Sequence, residues 1–273
     1  MVIDVDRCTG CYACFLACRD EHAGIDRLPV ALAQPEGQSW IKVKEVEQGP
    51  FPKVKVSYVP VPCLQCADAP CMSAATGGAD YRLEDGIVMI DPDKAAGQRA
   101  IASACPYGAI FWNEERNSPQ KCTFCAHLLD DGWKAPRCVE ACPTQALVFG
   151  DLDGTDSEVS MRRAEKPVEN LQPQLATRPL VSYLGLPARF VSGELVLADK
   201  PDQCAEGVRV VLRKGTQALT TTTDNYGDFE FRSLDADADY VLHIEHPGYK
   251  PRELTARATT HFNLGTIVLD TAA

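Results

Sequence analysis

The sequence predicts an α+β chain in two parts. The first folds short helices and strands around cysteines and carries β insertions; the second is an antiparallel β-sandwich. Two observations predict this. Twelve of the 13 cysteines precede residue 143 in tightly spaced runs. Beyond residue 188 the chain becomes a series of short apolar-polar alternations broken by Gly, Asp, Asn and Pro, the pattern of half-buried strands. The expected boundaries are 1–150 for the cysteine domain, 151–187 for a linker that wraps it, and 188–273 for the sandwich.

In chain order, Met1 to Val5 predict a short strand leading into CTGCYACFLAC, with Cys8, Cys11, Cys14 and Cys18 spaced x2, x2 and x3. Gly10 suits a backbone turning close to sulfur. FLACRDEH continues as a helix that points Cys14 and Cys18 to one side at i, i+4. Residues 24–62 form an insertion without cysteine. WIKVKEVEQG and KVKVSYVPV read as a hairpin, with Gly49, Pro50 and Pro52 at its turn and Lys42, Lys44, Lys53 and Lys55 on a solvated face.

CLQCADAPC then supplies Cys63, Cys66 and Cys71. Pro92 to Ala104 reads as a helix delivering Cys105, where Pro106 turns the chain into the strand AIFW. Cys122, Cys125, Cys138 and Cys142 complete the set, and Pro143 again turns the chain into an apolar strand, ALVF. The paired CP turns form an internal repeat of the ferredoxin kind. Pro167, Pro173, Pro179 and Pro187 mark the linker. In the sandwich, Val208, Val210 and Leu212 share a face, Phe229 and Phe231 join the same core, and Gly227 takes positive φ in a turn. Cys204 falls in a polar loop without a role.

Composition narrows the chemistry. The balance of 27 basic against 38 acidic residues gives a net charge of -11, which argues against a nucleic-acid surface. The odd cysteine total and the tight runs favour metal ligation over disulfides. MVIDVDRC lacks the basic and apolar regions of an export signal, and no apolar run reaches membrane-spanning length. The expectation is a soluble cytoplasmic protein, with export beside a signal-bearing partner left open. No Gly-rich nucleotide loop and no Ser/His/Asp arrangement stands out. None of the five histidines has ligand-like company, and His127 follows Cys125 too late for haem attachment. The chain is expected to carry electrons without performing bond chemistry.

In two-cluster ferredoxin loops the fourth cysteine of a run ligates the other cluster. Applied here, Cys8, Cys11, Cys14 and Cys142 hold one [4Fe-4S] cluster. Cys122, Cys125, Cys138 and Cys18 hold a second. Cys63, Cys66 and Cys71 lack a fourth partner nearby because position 75 is alanine, and Cys105 lacks a preceding three, so these four make a third site. Two alternatives remain at this point. Cys63, Cys66 and Cys71 hold a three-iron cluster with Cys105 as packing, or the Cys122–Cys142 loop binds zinc.

The motif order resembles the four-cluster ferredoxin-type small subunits of molybdopterin oxidoreductases, the dimethyl sulfoxide reductase family. CTGCYACFLAC, CLQCADAPC, DGIVMIDPDK, CPYG and KCTFCAHLLDD carry the resemblance. The alanine at position 75, the missing first cysteines of the third group and the C-terminal sandwich are similar to one branch of that family. This branch holds the small subunits of pyrogallol–phloroglucinol transhydroxylase and anaerobic resorcinol hydroxylase. The resemblance implies three [4Fe-4S] clusters on the twelve cysteines named above and a transthyretin- or carboxypeptidase-regulatory-like sandwich. It also implies a heterodimer with a large catalytic subunit that holds a molybdenum bis-pterin cofactor and acts on polyhydroxylated aromatics.

Hydroxyl transfer, water-dependent hydroxylation that exports an electron pair, and arene dehydroxylation all fit, as does another molybdopterin oxidoreductase. A structural subunit whose clusters are not turned over is the competing class. The sandwich is expected to dock or scaffold the partner.

Overall fold

Three consecutive apolar positions open the chain, and they become its most enclosed strand. In the computed structural model, β1 (Val2–Asp4) is fully buried. It lies between an antiparallel neighbour late in the cysteine region and a parallel one at residues 182–184. Residues 1–28, 30–35, 37–48, 54–235, 238–257 and 262–272 are described. They divide into two units, Met1–Val46 with Ser57–Leu186, and Glu47–Val56 with Pro187–Ala273.

In the first unit, α1 (Ala13–His22) follows the first cysteine loop. β2 (Lys42–Gln48) and β3 (Lys55–Val61) pair as the expected hairpin. Lys42, Lys44 and Lys55 are exposed. The expected turn at Gly49, Pro50 and Pro52, and Lys53 with it, lies outside the described residues. Pro70 occupies the first turn of α2 (Pro70–Ala74), where its missing N–H costs nothing. A small antiparallel pair follows, β4 (Asp80–Arg82) with β5 (Val88–Ile90).

The helix expected over 92–104 is shorter. Only α3 (Arg99–Ser103) is helical. The Asp91 carboxylate accepts from the N–H groups of Asp93 and Lys94, both at 3.1 Å, which winds the preceding residues into turns. Gly97 then takes φ +78° and donates its N–H to Asn117 O at 2.7 Å.

β6 (Ile110–Asn113) and β7 (Ser118–Lys121) form a hairpin. Next come α4 (Ala126–Asp130), α5 (Arg137–Glu140) and β8 (Leu147–Val148), the last pairing with β1.

The proline-bearing segment expected as a wrapping linker is part of this unit. Ser157 caps α6 (Glu158–Glu165) by accepting from Ser160 N. Lys166 and Arg162 reach the buried Asp4 carboxylate at 3.3 and 4.0 Å. β9 (Ser182–Leu184) runs parallel to β1.

The second unit is a sandwich of two four-stranded sheets. One holds β10 (Val191–Leu197), β11 (Lys200–Cys204), β14 (Asp228–Phe231) and β17 (Phe262–Leu269). The other holds β12 (Arg209–Lys214), β13 (Gln217–Thr222), β15 (Asp239–Glu245) and β16 (Arg252–Arg257). Val208, Val210, Leu212, Phe229 and Phe231 are buried in one core, as their alternation predicts. Gly227 has φ +85°, and a Cβ there would sit 2.7 Å from Leu195 O.

Two strands, β11 and β16, escape a pattern reading because they are rich in Lys, Asp, Glu and Arg. Cys204 therefore ends a strand opposite Val196 rather than lying in a loop, and it is exposed. One pairing also departs from the antiparallel expectation, since β10 and β17 run parallel from Val191↔Phe262 to Leu197↔Leu269. Leu242 is fully buried in this core. Leu242→Ala is expected to cost about 2–5 kcal/mol, read as faster hydrogen exchange in β12 and β15.

Candidate metal centres

The three quartets assembled from the spacing are brought together in space. Cys8, Cys11, Cys14 and Cys142 form the first. Burial pushes the Cys14 thiol up to about 12, and Cys8, Cys142 and Cys11 add repulsion. Cys18, Cys122, Cys125 and Cys138 form the second and are all buried. Burial holds Cys122 and Cys138 well above the ordinary thiol range, with Cys18 and Cys125 repelling both. Cys63, Cys66, Cys71 and Cys105 line one cavity with Leu64, Pro70, Val88 and Ile110. Cys138 also feels Cys14, and Cys122 feels Cys63. The second quartet therefore lies between the other two.

Local sequence explains how the loops aim their sulfurs. Gly10, Gln65 and Phe124 each precede the second cysteine of a C-x2-C pair, and they take φ +68°, +50° and +52°. The left-handed residue turns the backbone so that its N–H groups face inward, and Phe124 N donates to Cys122 Sγ at 3.4 Å. The two CP turns repeat a second device. Gly108 and Gln145 sit three residues past their cysteines with φ +61° and +53°. The next N–H returns to the sulfur, Ala109 N to Cys105 Sγ at 3.4 Å and Ala146 N to Cys142 Sγ at 3.3 Å. Burial raises the Cys142 thiol, but the N–H groups of Leu147, Ala146 and Thr144 and the Thr144 hydroxyl outweigh it and leave the thiol below its ordinary value.

Two substitutions test this geometry. A Cβ on Gly10 would lie 2.5 Å from the Tyr58 ring. Gly10→Val therefore meets a clash as well as a left-handed cost of about 1–2 kcal/mol, and should release iron from the first site faster than wild type. Gln145→Gly removes a similar backbone cost and should slow iron release from that site by up to about tenfold.

The donor set fits an iron-sulfur cluster. Most of these sulfurs are desolvated, so ionising them needs a positive partner. Among the described residues no three His, Cys, Asp or Glu side chains gather as a single ion requires. Clustered thiols with inward N–H groups instead match a polynuclear core, whose cysteinates accept such bonds.

Several side chains at these sites were not singled out by the sequence reading. His22 Nε2 lies 3.7 Å from Cys125 Sγ. Gln34 donates from Nε2 to Cys18 Sγ at 3.3 Å. The Gln65 amide ties two loops, donating to Cys122 O and accepting from Val88 N, each at 2.9 Å. Lys121 is buried, donating to the carbonyls of Val88 and Cys122.

The 177–180 stretch runs beside the third quartet's loop, Arg178 O and Thr177 O accepting from Ala67 N and Asp68 N, and Leu180 N donating to Leu64 O. Thr177 directs its hydroxyl at Cys66 and meets Tyr107 Oη at 2.7 Å. Arg178 holds Asp68 bidentately at 2.5 and 2.6 Å. Of these signals, only the one for His22 was accessible beforehand. It continues the i, i+4 stripe of Cys14 and Cys18 by one more turn.

Two domain families match the chain. A 4Fe-4S dicluster domain matches residues 54–152, and a carboxypeptidase regulatory-like domain matches residues 191–269. The pyrogallol hydroxytransferase small subunit of Pelobacter acidigallici is 38% identical over 278 residues, covering 98% of each chain. The chain belongs to the iron-sulfur small subunits of the dimethyl sulfoxide reductase family of molybdopterin enzymes.

Two further relatives match less of the chain. A subunit of sulfite dehydrogenase from Allochromatium vinosum is 34% identical, covering 67% of this chain and 81% of its own. The arsenate respiratory reductase iron-sulfur subunit of Shewanella sp. is 31% identical, covering 67% and 94%. Small subunits of this family are non-catalytic and pair with a large catalytic subunit. The present chain is such an electron-transfer subunit. No helix among the described residues is long and apolar enough to cross a membrane.

Proposed function

We propose that the chain carries three [4Fe-4S] clusters and moves electrons for a molybdopterin subunit acting on polyhydroxylated aromatics, in a cytoplasmic heterodimer. Cys8, Cys11, Cys14 and Cys142 hold the first cluster. Cys18, Cys122, Cys125 and Cys138 hold the second, and Cys63, Cys66, Cys71 and Cys105 the third. The observation that carries the reading is the sorting of twelve cysteines into three quartets, with only the exposed Cys204 left over. When bound, the clusters supply one-electron carriers whose potentials depend on hydrogen bonding and burial.

The chain's own residues hold the sulfurs, aim N–H groups at them and keep water away from the middle site. Full-length similarity to the pyrogallol hydroxytransferase small subunit supports the aromatic substrate class. On this reading the molybdenum bis-pterin cofactor resides in the large subunit.

Iron analysis of the co-purified complex should give about 12 irons on this chain, with spin-coupled signals from three reduced clusters. The large subunit should contain molybdenum, and the complex should transfer or insert hydroxyl groups on pyrogallol-type arenes. Iron near 8 per chain would overturn the cluster count. Turnover of sulfite or arsenate with no arene activity would overturn the substrate class.

A further inference from the structure

Helix α1 carries a single buried stripe of Cys14, Cys18 and His22, each one turn beyond the last. The first belongs to the first quartet and the second to the middle one. His22 extends the stripe to another sulfur of the middle quartet, with Nε2 3.7 Å from Cys125 Sγ. The imidazole is 2% exposed, packed 4.6 Å from the Trp40 ring and 5.3 Å from His127. Its Nδ1 has no hydrogen-bond partner among the described residues. A ligating cysteinate can only accept, so Nε2 carries the proton whether the ring is neutral or charged.

Gln34 reaches a second sulfur of the same quartet. It is 3% exposed and donates from Nε2 to Cys18 Sγ at 3.3 Å. Its backbone N–H also donates to His22 O at 2.8 Å, so the two donors are fixed to one another. The outer quartets have no such pair of side-chain N–H groups on sulfur among the described residues. Cys142 meets the Thr144 hydroxyl at 3.7 Å, and Cys66 meets that of Thr177.

The middle quartet is also the most enclosed, which on its own makes each added electron costlier. N–H···S bonds draw charge from the ligating sulfur and favour the reduced state. We propose that His22 and Gln34 are positioning residues that raise the potential of the middle cluster through N–H···S bonds to Cys125 and Cys18. They thereby offset its burial and keep it within electron-transfer reach of both neighbours. This inference rests on the ligand assignment proposed above.

The test is a redox titration of the intact heterodimer followed by electron paramagnetic resonance, with Cys18→Ala identifying the middle signal. His22→Leu should shift that midpoint to lower potential, and His22→Leu with Gln34→Leu should shift it further. Both should leave the outer two in place. His22→Gln, which returns an N–H near the same point, should restore much of the shift. If His22→Leu fails to assemble its cluster, Gln34→Leu alone should still lower the midpoint. A middle midpoint unchanged in a variant with wild-type iron content overturns the inference. Fewer than three clusters in the wild type would instead overturn the ligand assignment.

Discussion

Cys18→Ala should abolish the middle cluster and lower the iron content from about 12 to about 8 per chain. The damage is expected far from its sequence neighbours. Cys18 follows Cys14 by one turn of α1, yet the two sulfurs serve different quartets. Burial raises the Cys18 thiol, and its countering donors are Gln34, Ser39 and the backbone N–H groups of Trp40 and Ile41, none of them in the first cysteine loop. Cys122, Cys125 and Cys138 all feel its charge. The signal of the cluster held by Cys8, Cys11, Cys14 and Cys142 should persist in the variant. Its loss, with the middle signal intact, would reverse the assignment.

Cys105→Ala should remove or degrade the third cluster, lowering iron by about one to four per chain. Cys105 stands alone in sequence, 34 residues after Cys71. It reaches the other three because α3 packs beside α2 and delivers it into the cavity that they line. The N–H of Ala109 then fixes its sulfur. If Cys63, Cys66 and Cys71 held a three-iron cluster and Cys105 were packing, iron would not change. Cys204→Ser is the control, and its exposed position on β11 predicts unchanged iron.

Thiolate spacing made the quartets readable because short loops restrict which sulfurs can converge, and the CP turns repeat visibly. The sandwich was readable because alternation exposes one face of each strand to a core. What stayed hidden depends on chain segments meeting from afar. Gln34 and Trp40 lie in an insertion that reads as a simple hairpin, yet they flank the middle quartet. Thr177 sits in a stretch whose prolines suggest a linker, while its hydroxyl reaches Cys66. The left-handed backbone at Gln65, Phe124 and Gln145 was hidden for another reason: only its glycine counterparts, Gly10 and Gly108, announce such a conformation. Gln98 shows the same limit, since it ends the turns that shorten α3 and binds Thr76 across two helices.

The parallel pairing of β10 with β17 has a consequence for biosynthesis. β10 is the first strand of its module, and the parallel neighbour on one of its edges comes about 70 residues later. During translation the sheet must therefore wait, with one edge of β10 unpaired, until residues 262–269 leave the ribosome. The cysteine loops emerge well before that. Iron loading and sandwich closure are thus separable events in time, and a ribosome stalled near residue 250 should carry a nascent chain able to acquire iron while its last module is still open.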